Sequence, residues 1–268
     1  MTRRQPTVRK YDDLTDQALL QRFRTDGDEL ALATVVRRHH ALVMATCRHL
    51  LGNVHDAEDA YQATFLVLVR SSAKIRRARY FRSWLYGVAY RVASRIRQTR
   101  FRTGEERAFD VLVSSADPLA EVAEREQLSA VHDAIAKLPS SLREPLILRY
   151  LDDRSNEDVA DELAMTVSAV EGRLKRAKAR LRFSLAKSGL MLSVALVTLR
   201  SSATEASIAI SSAAASEGLL ERVLEYGHQQ WENGTPSEGV VSQMVREEMN
   251  AMLHQSIKSY AVIAATCI

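Results

Sequence analysis

Cysteine is nearly absent from this 268-residue chain. Cys47 and Cys267 make neither a disulfide framework nor a zinc set, and a reducing compartment suits them. Five prolines and ten glycines leave few obligatory turns. With little β-branched alternation, this scarcity argues against sheet and predicts an all-α protein. The longest apolar runs, Leu190 to Leu199 and Tyr260 to Ile268, are about ten residues where a membrane span needs about twenty. The start, Met1-Thr2-Arg3-Arg4-Gln5-Pro6, is basic but leads into no apolar stretch, so a secretory signal is not expected and the cytoplasm is. Internal repeats and a phosphate-cradling glycine loop are also missing.

What is present is positive charge, unevenly spread. Residues 188–268 hold four Lys or Arg against eight Glu, a net −4. Since the whole chain carries +4, residues 1–187 carry +8, which points to a polyanionic partner.

The periodicity divides the chain into helical units. Residues 14–103 read as a first unit, with amphipathic stretches Leu14–Arg24, Glu29–Leu51, Asp56–Val69 and Tyr80–Arg102 and a basic loop from Ser71 to Arg79. Residues 104–124 lack sustained periodicity and read as a linker. Residues 125–187 form a second unit, broken at Leu138-Pro139. Residues 188–268 are a helical appendage with small-residue tracts.

The second unit ends in a helix-turn-helix pattern. Ser155 caps a short acidic helix up to Leu163, Ala164 and Met165 make the turn, and Thr166 caps a second helix. Val167, Val170, Leu174, Ala177, Leu181 and Leu185 share one stripe at steps of three and four. Ser168, Glu171, Gly172, Lys175, Arg176 and Ala179 therefore face outward, flanked by Arg173, Lys178, Arg180 and Arg182. Small residues within a basic face suit a DNA major groove, with flanking cations on phosphates. The competing reading is a solvated helix in a bundle; the capped two-helix pattern favours DNA.

Residues 74–107 carry eleven cations against Glu105 and Glu106, interleaved with Tyr80, Phe81, Tyr86, Tyr90 and Phe101. Cations beside rings suit a strand whose bases are unstacked; the competing reading is that these aromatics are mostly core, with Tyr80 evenly placed between the two. Trp84, Leu85, Val88, Ala89, Val92 and Ile96 form the buried stripe of the same helix, while Tyr80 lies at its junction with the loop. Asp56, Asp59 and Gln62 recur on the preceding helix; helix capping accounts for Asp56 but not for Asp59 or Gln62. His39, His40, His49 and His55 stand near Asp56, Glu58 and Asp59, but no Glu-x-x-His or His-Glu-x-x-His spacing occurs, so neither a metal nor a cofactor is expected.

Three motifs together resemble a known family. Asp56-Ala-Glu-Asp59-Ala-Tyr-Gln62-Ala-Thr-Phe65, Trp84-Leu85-Tyr86-Gly87-Val88-Ala89, and Leu138-Pro139 with its helix-turn-helix look like the extracytoplasmic-function sigma factors of bacterial RNA polymerase, over about Leu14 to Leu185. The resemblance implies two all-α domains, sigma region 2 at 14–103 and region 4 at 125–187. It implies polymerase docking through Asp56, Asp59, Gln62 and Phe65. It gives the −10 element to the basic loop and the helix after it, through Arg76, Arg77, Arg79, Tyr80, Arg91 and Arg95. It gives the −35 element to Ser168, Glu171, Gly172, Arg173, Lys175, Arg176, Lys178 and Arg180, the face already found from periodicity.

The implied partners are the polymerase core and promoter DNA, with an anti-sigma protein as a further class; catalysis stays with the polymerase. A stand-alone helix-turn-helix regulator is the alternative. Two positions depart from the family pattern: Ala63 stands where Glu is common, and Glu171 where a cation is. The appendage resembles tails of longer members and is expected to be regulatory or anchoring. Its negative charge suits folding back over the Lys74–Arg102 surface or over Lys175 and Arg176, and a solvated tail with marginal helices is the competing reading.

Overall fold

A computed structural model describes residues 9–72, 75, 80–103, 118–187, 189–193, 195–196, 218, 221–225, 245–246 and 248–249. Its elements are α1 (Arg9–Asp12), α2 (Asp16–Asp26), α3 (Glu29–Leu51), α4 (Val54–Ser71) and α5 (Phe81–Thr103), then α6 (Pro118–Ala136), α7 (Ser140–Tyr150), α8 (Asn156–Glu162) and α9 (Val167–Ala186). No strand occurs among the described residues, in line with the all-α expectation. One boundary is corrected. Residues 118–124, read as linker, already belong to α6, because Pro118 suits a first helical position.

The breaks follow from cap chemistry. Gly27 at φ 64° and Gly52 at φ 68° end α2 and α3 in the left-handed conformation that glycine tolerates best. Asp28 and Asn53 then start the next helices by accepting from backbone amides of α3 and α4. In the first unit α3 packs against α2, α4 and α5 around Leu32, Val35, Val43, Phe65, Leu68, Leu85 and Val88. Arg38 and His39 of α3 hold Asp16 of α2 at 2.5 and 2.8 Å. Burial alone would raise that carboxyl, but the bonds from His39 and Arg38 bring it down to about 2.

The second unit wraps α6, α7 and α8 around α9, with Ile135, Leu146, Ile147, Val159, Val170, Leu174 and Leu181 in its core. Pro145 lies inside α7 and has no N–H to offer the Ser141 carbonyl. An Arg173 guanidinium from α9 donates to that oxygen instead, at 3.4 Å.

The two units meet along α5, whose second stripe (Arg82, Ser83, Tyr86, Tyr90, Arg97) faces α6, α7 and the loop around Asp152. Arg82 is 6 % exposed and lies 2.9 Å from Asp152 and 3.3 Å from Glu162. The Ser83 amide donates to Glu144 at 2.6 Å, and Arg143 donates to the Ser83 hydroxyl at 2.7 Å. A Cβ on Gly87 would stand 3.7 Å from the Arg143 guanidinium and 3.2 Å from Arg91, so its absence leaves room for both. Tyr86 joins the second unit's core, its hydroxyl 2.8 Å from His132 Nδ1, while His132 Nε2 lies 3.1 Å from His49. Burial holds His132 well below its ordinary pKa. Neutral His132 carries one ring proton, so its ring donates in one of these two contacts and accepts in the other.

Burial pushes the Glu144 carboxyl up to about 8, against the pull of the Ser83 amide and Arg82. A raised pKa means that the folded state favours the neutral acid. Its contribution is present below the ordinary 4.5 and is lost as pH rises towards 8. Glu144→Gln keeps an acceptor for Ser83 and removes the ionisation. It is expected to flatten the decline in stability from about pH 5 to about pH 8 by on the order of 2–3 kcal/mol, read as Tm against pH. Parallel Tm profiles for the two proteins would contradict this.

Candidate nucleic-acid interface

Helix α9 is positioned by its buried stripe. Val170, Leu174, Ala177, Leu181 and Leu185 are all buried, and Val167 is half-buried. The capping box between Ser155 and Asp158 starts α8, and Thr166 caps α9 by accepting from the Ala169 amide. Between them Ala164 adopts φ 47°, a left-handed turn residue with a Cβ. The opposite face of α9 is open: Ser168, Glu171, Lys175, Arg176, Ala179, Arg180 and Arg182 are exposed, and Gly172 is half-exposed.

Gly172 carries information of its own. A Cβ placed there meets nothing within 4 Å, so packing does not require glycine at this point. Glycine inside a helix costs roughly 0.5–1 kcal/mol relative to alanine. A flat spot amid exposed cations lets an external group approach the helix backbone. Two flanking cations are turned inward by comparison. Arg173 braces α7 as described, and the Lys178 ammonium sits 5.3 Å from the Tyr150 ring centroid.

On the first unit, Tyr80 is half-buried at the start of α5, and Arg91 and Arg95 are half-buried one turn apart. Arg76, Arg77 and Arg79 lie outside the described residues. Near the start of α5, a small open cleft is lined by Gln17, Leu20, Gln21, Arg24, Ser72, Ile75 and Phe81. Of the interleaved aromatics, Phe81 and Tyr86 are buried and Tyr90 donates to Asp133 across the seam. Packing takes their rings away from any ligand. Trp84 is half-buried and stacks on Phe81 at 6.2 Å.

The α4 set also divides. Asp59 and Gln62 are half-exposed on one face. Phe65 is fully buried, 4.9 Å from the Tyr61 ring, and belongs to the core instead of a docking surface. Asp56 is buried and paired with Arg100 of α5, which ties α4 to α5. The histidines take separate partners: His39 has Asp16, His40 has Tyr61, and His49 has His132. The residues that sequence reasoning missed are those of the seam, chiefly Arg82, Glu144 and His132. Their signal was the second stripe on α5, Ser83, Tyr86, Tyr90 and Arg97.

Comparison with known proteins bears directly on this pair of units. Residues 35–102 match the model of Sigma-70 region 2, and residues 128–181 that of Sigma-70, region 4. The ECF RNA polymerase sigma factor SigW of Bacillus subtilis is 28 % identical over 170 residues, covering 59 % of this chain and 91 % of that protein. The ECF RNA polymerase sigma-E factor of Haemophilus influenzae is 29 % identical over 180 residues, covering 62 % and 93 %. The RNA polymerase sigma factor NccH of Alcaligenes xylosoxydans is 29 % identical over 176 residues, covering 63 % and 94 %. Two sigma regions in order, and relatives matched over nearly their full length, join the helix-turn-helix geometry in one conclusion: the chain belongs to the extracytoplasmic-function sigma factors.

Proposed function

We propose that this protein binds the bacterial RNA polymerase core, directs it to promoters with −10 and −35 elements, and helps open the duplex. The observation that carries the reading is the joint presence of regions 2 and 4, each with a polar face on a packed helical unit. A stand-alone regulator needs only the second unit. The protein works in the cytoplasm, where polymerase and chromosome meet, and leaves the chemistry to the polymerase without catalytic residues or a cofactor of its own.

In this reading Asp59 and Gln62 dock the polymerase. Ser168, Glu171, Gly172, Lys175 and Arg176 read the −35 duplex, while Arg180 contacts phosphate. Tyr80, Arg91 and Arg95, with Arg76, Arg77 and Arg79, hold the −10 strand. Glu171 is matched to a cytosine amino group, the base-edge donor that a carboxylate accepts from.

Both elements cannot be held while the seam is shut. Elements centred roughly 25 nucleotides apart lie about 85 Å apart along a duplex. Two units packed together as residues 9–187 are about 40 Å across by size scaling. Residues 104–117 reach at most about 50 Å at full extension, enough for the shortfall once the units separate. Parting the α5–α7 seam is therefore a step of promoter engagement.

Replacing both Asp59 and Gln62 by Ala is expected to abolish co-purification with core polymerase while leaving helical circular dichroism unchanged. Undiminished association would remove α4 from the docking role.

Gly172→Ala is expected to raise stability by about 0.5–1 kcal/mol while weakening binding to −35 duplexes. Lys175→Ala or Arg176→Ala should change sequence preference at about 1–3 kcal/mol per lost base contact, whereas Arg180→Ala should weaken every sequence alike and lower the salt slope. A binding selection in which Arg180 alters preference and Lys175 does not would reverse the assignment.

A further inference from the structure

The described residues beyond α9 divide between the units: Leu192 and Ala195 join the core of the second, whereas the later ones pack against the first. Val223 and Val245 are fully buried within its core cluster, with Leu224 and Met249 packed against it. Val245, Glu248 and Met249 are helical and spaced i, i+3, i+4, so one face turns inward while Arg246 stays exposed. The Ser71 hydroxyl at the end of α4 donates to the Met249 sulfur at 3.2 Å. The matched sigma regions end at residue 181, so this contact is an addition to them.

Glu248 is the informative residue of the addition. Its side chain is 0 % exposed, and its Oε1 accepts from Arg91 Nε at 2.5 Å. Its Oε2 is buried without a hydrogen-bond partner among the described residues. Burial raises the Glu248 carboxyl above its ordinary range, and the charges of Arg91 and Arg95 pull it back. A buried carboxylate with one oxygen unmatched contributes little to stability, since desolvation offsets the attraction. Its geometry has a different sense: an anion held by Arg91, with Arg95 one turn away, is what a backbone phosphate would present to the same surface.

We propose that the helical turn around Glu248 is an internal blocker of the −10 strand surface, its carboxylate occupying the place of a DNA phosphate on Arg91 and beside Arg95. This rests on the strand-binding reading of α5. Val223, Val245 and Met249 anchor the turn, and Glu248 is the exchangeable part. Strand capture must displace it, so the full chain binds strands more weakly than its surface allows until polymerase or promoter shifts the balance.

The test uses the full chain and a fluorescein-labelled, mixed-sequence 20-nucleotide single strand, read by anisotropy. If the blocker covers the surface about nine-tenths of the time, Glu248→Gln tightens binding about tenfold. Glu225→Gln, an equal loss of charge at an exposed position of the appendage, leaves affinity unchanged. A second arm does not depend on Glu248: Ser71→Cys with Met249→Cys, in a Cys267→Ser background, is bridged by a short bismaleimide, and bridging weakens strand binding several-fold.

Equal affinities for parent and Glu248→Gln, or no effect of the bridge, overturn the blocker. So does the same gain from Glu225→Gln, which would reduce the effect to net charge. Arg91→Ala on top of Glu248→Gln separates the two readings. Loss of the gain supports the strand surface, and a double variant that binds as well as Glu248→Gln removes Arg91 from it.

Discussion

Arg82 is a buried cation whose neutralising carboxylates, Asp152 and Glu162, both come from the other unit. Removing either side would leave an uncompensated charge in a low-dielectric seam, a penalty of several kcal/mol. Around it, Glu144 takes the Ser83 amide, Arg143 the Ser83 hydroxyl, and His132 the Tyr86 hydroxyl. The relative position of the two units follows from satisfying this row of polar groups. Because its members are polar, water and nucleic acid can take over their bonds when the units part, which a seam of leucines would resist. A joint made this way specifies one arrangement without making it permanent.

The same economy governs the two surfaces proposed to face DNA. On α9 the buried stripe fixes the helix, and the outward face is left with small and cationic side chains that have little to do within the fold. On α5 one stripe serves the core and a second the seam, while Arg91 holds the internal carboxylate of Glu248. Two constraints thus oppose promoter engagement, one between the units and one on the strand surface.

Local order in this fold was legible because its causes are local. Ser155, Thr166, Gly52 and the three-and-four stripe of α9 act within a few residues, and the structure matches them. Phe65 was misplaced because motif and composition say nothing about which side of a helix another helix will cover. Arg82 looked like one more surface cation among eleven, and only the approach of Asp152, seventy residues away, makes it a core residue. Pro118 was absorbed into a linker because the acids around it hide the start of α6. The appendage was readable as acidic and amphipathic, whereas Glu248 as its point of contact depends on tertiary packing.

The central claim is that this chain tells a polymerase where to begin. The most direct measurement is in-vitro transcription from fragmented genomic DNA of the source organism, with core polymerase in the presence and absence of the purified chain, reading every RNA 5′ end. Discrete start sites that require the chain are expected, each preceded by the same pair of −10 and −35 elements. Identical 5′ ends with and without the chain, alongside tight DNA footprints made by the chain alone, would contradict it and favour a stand-alone regulator.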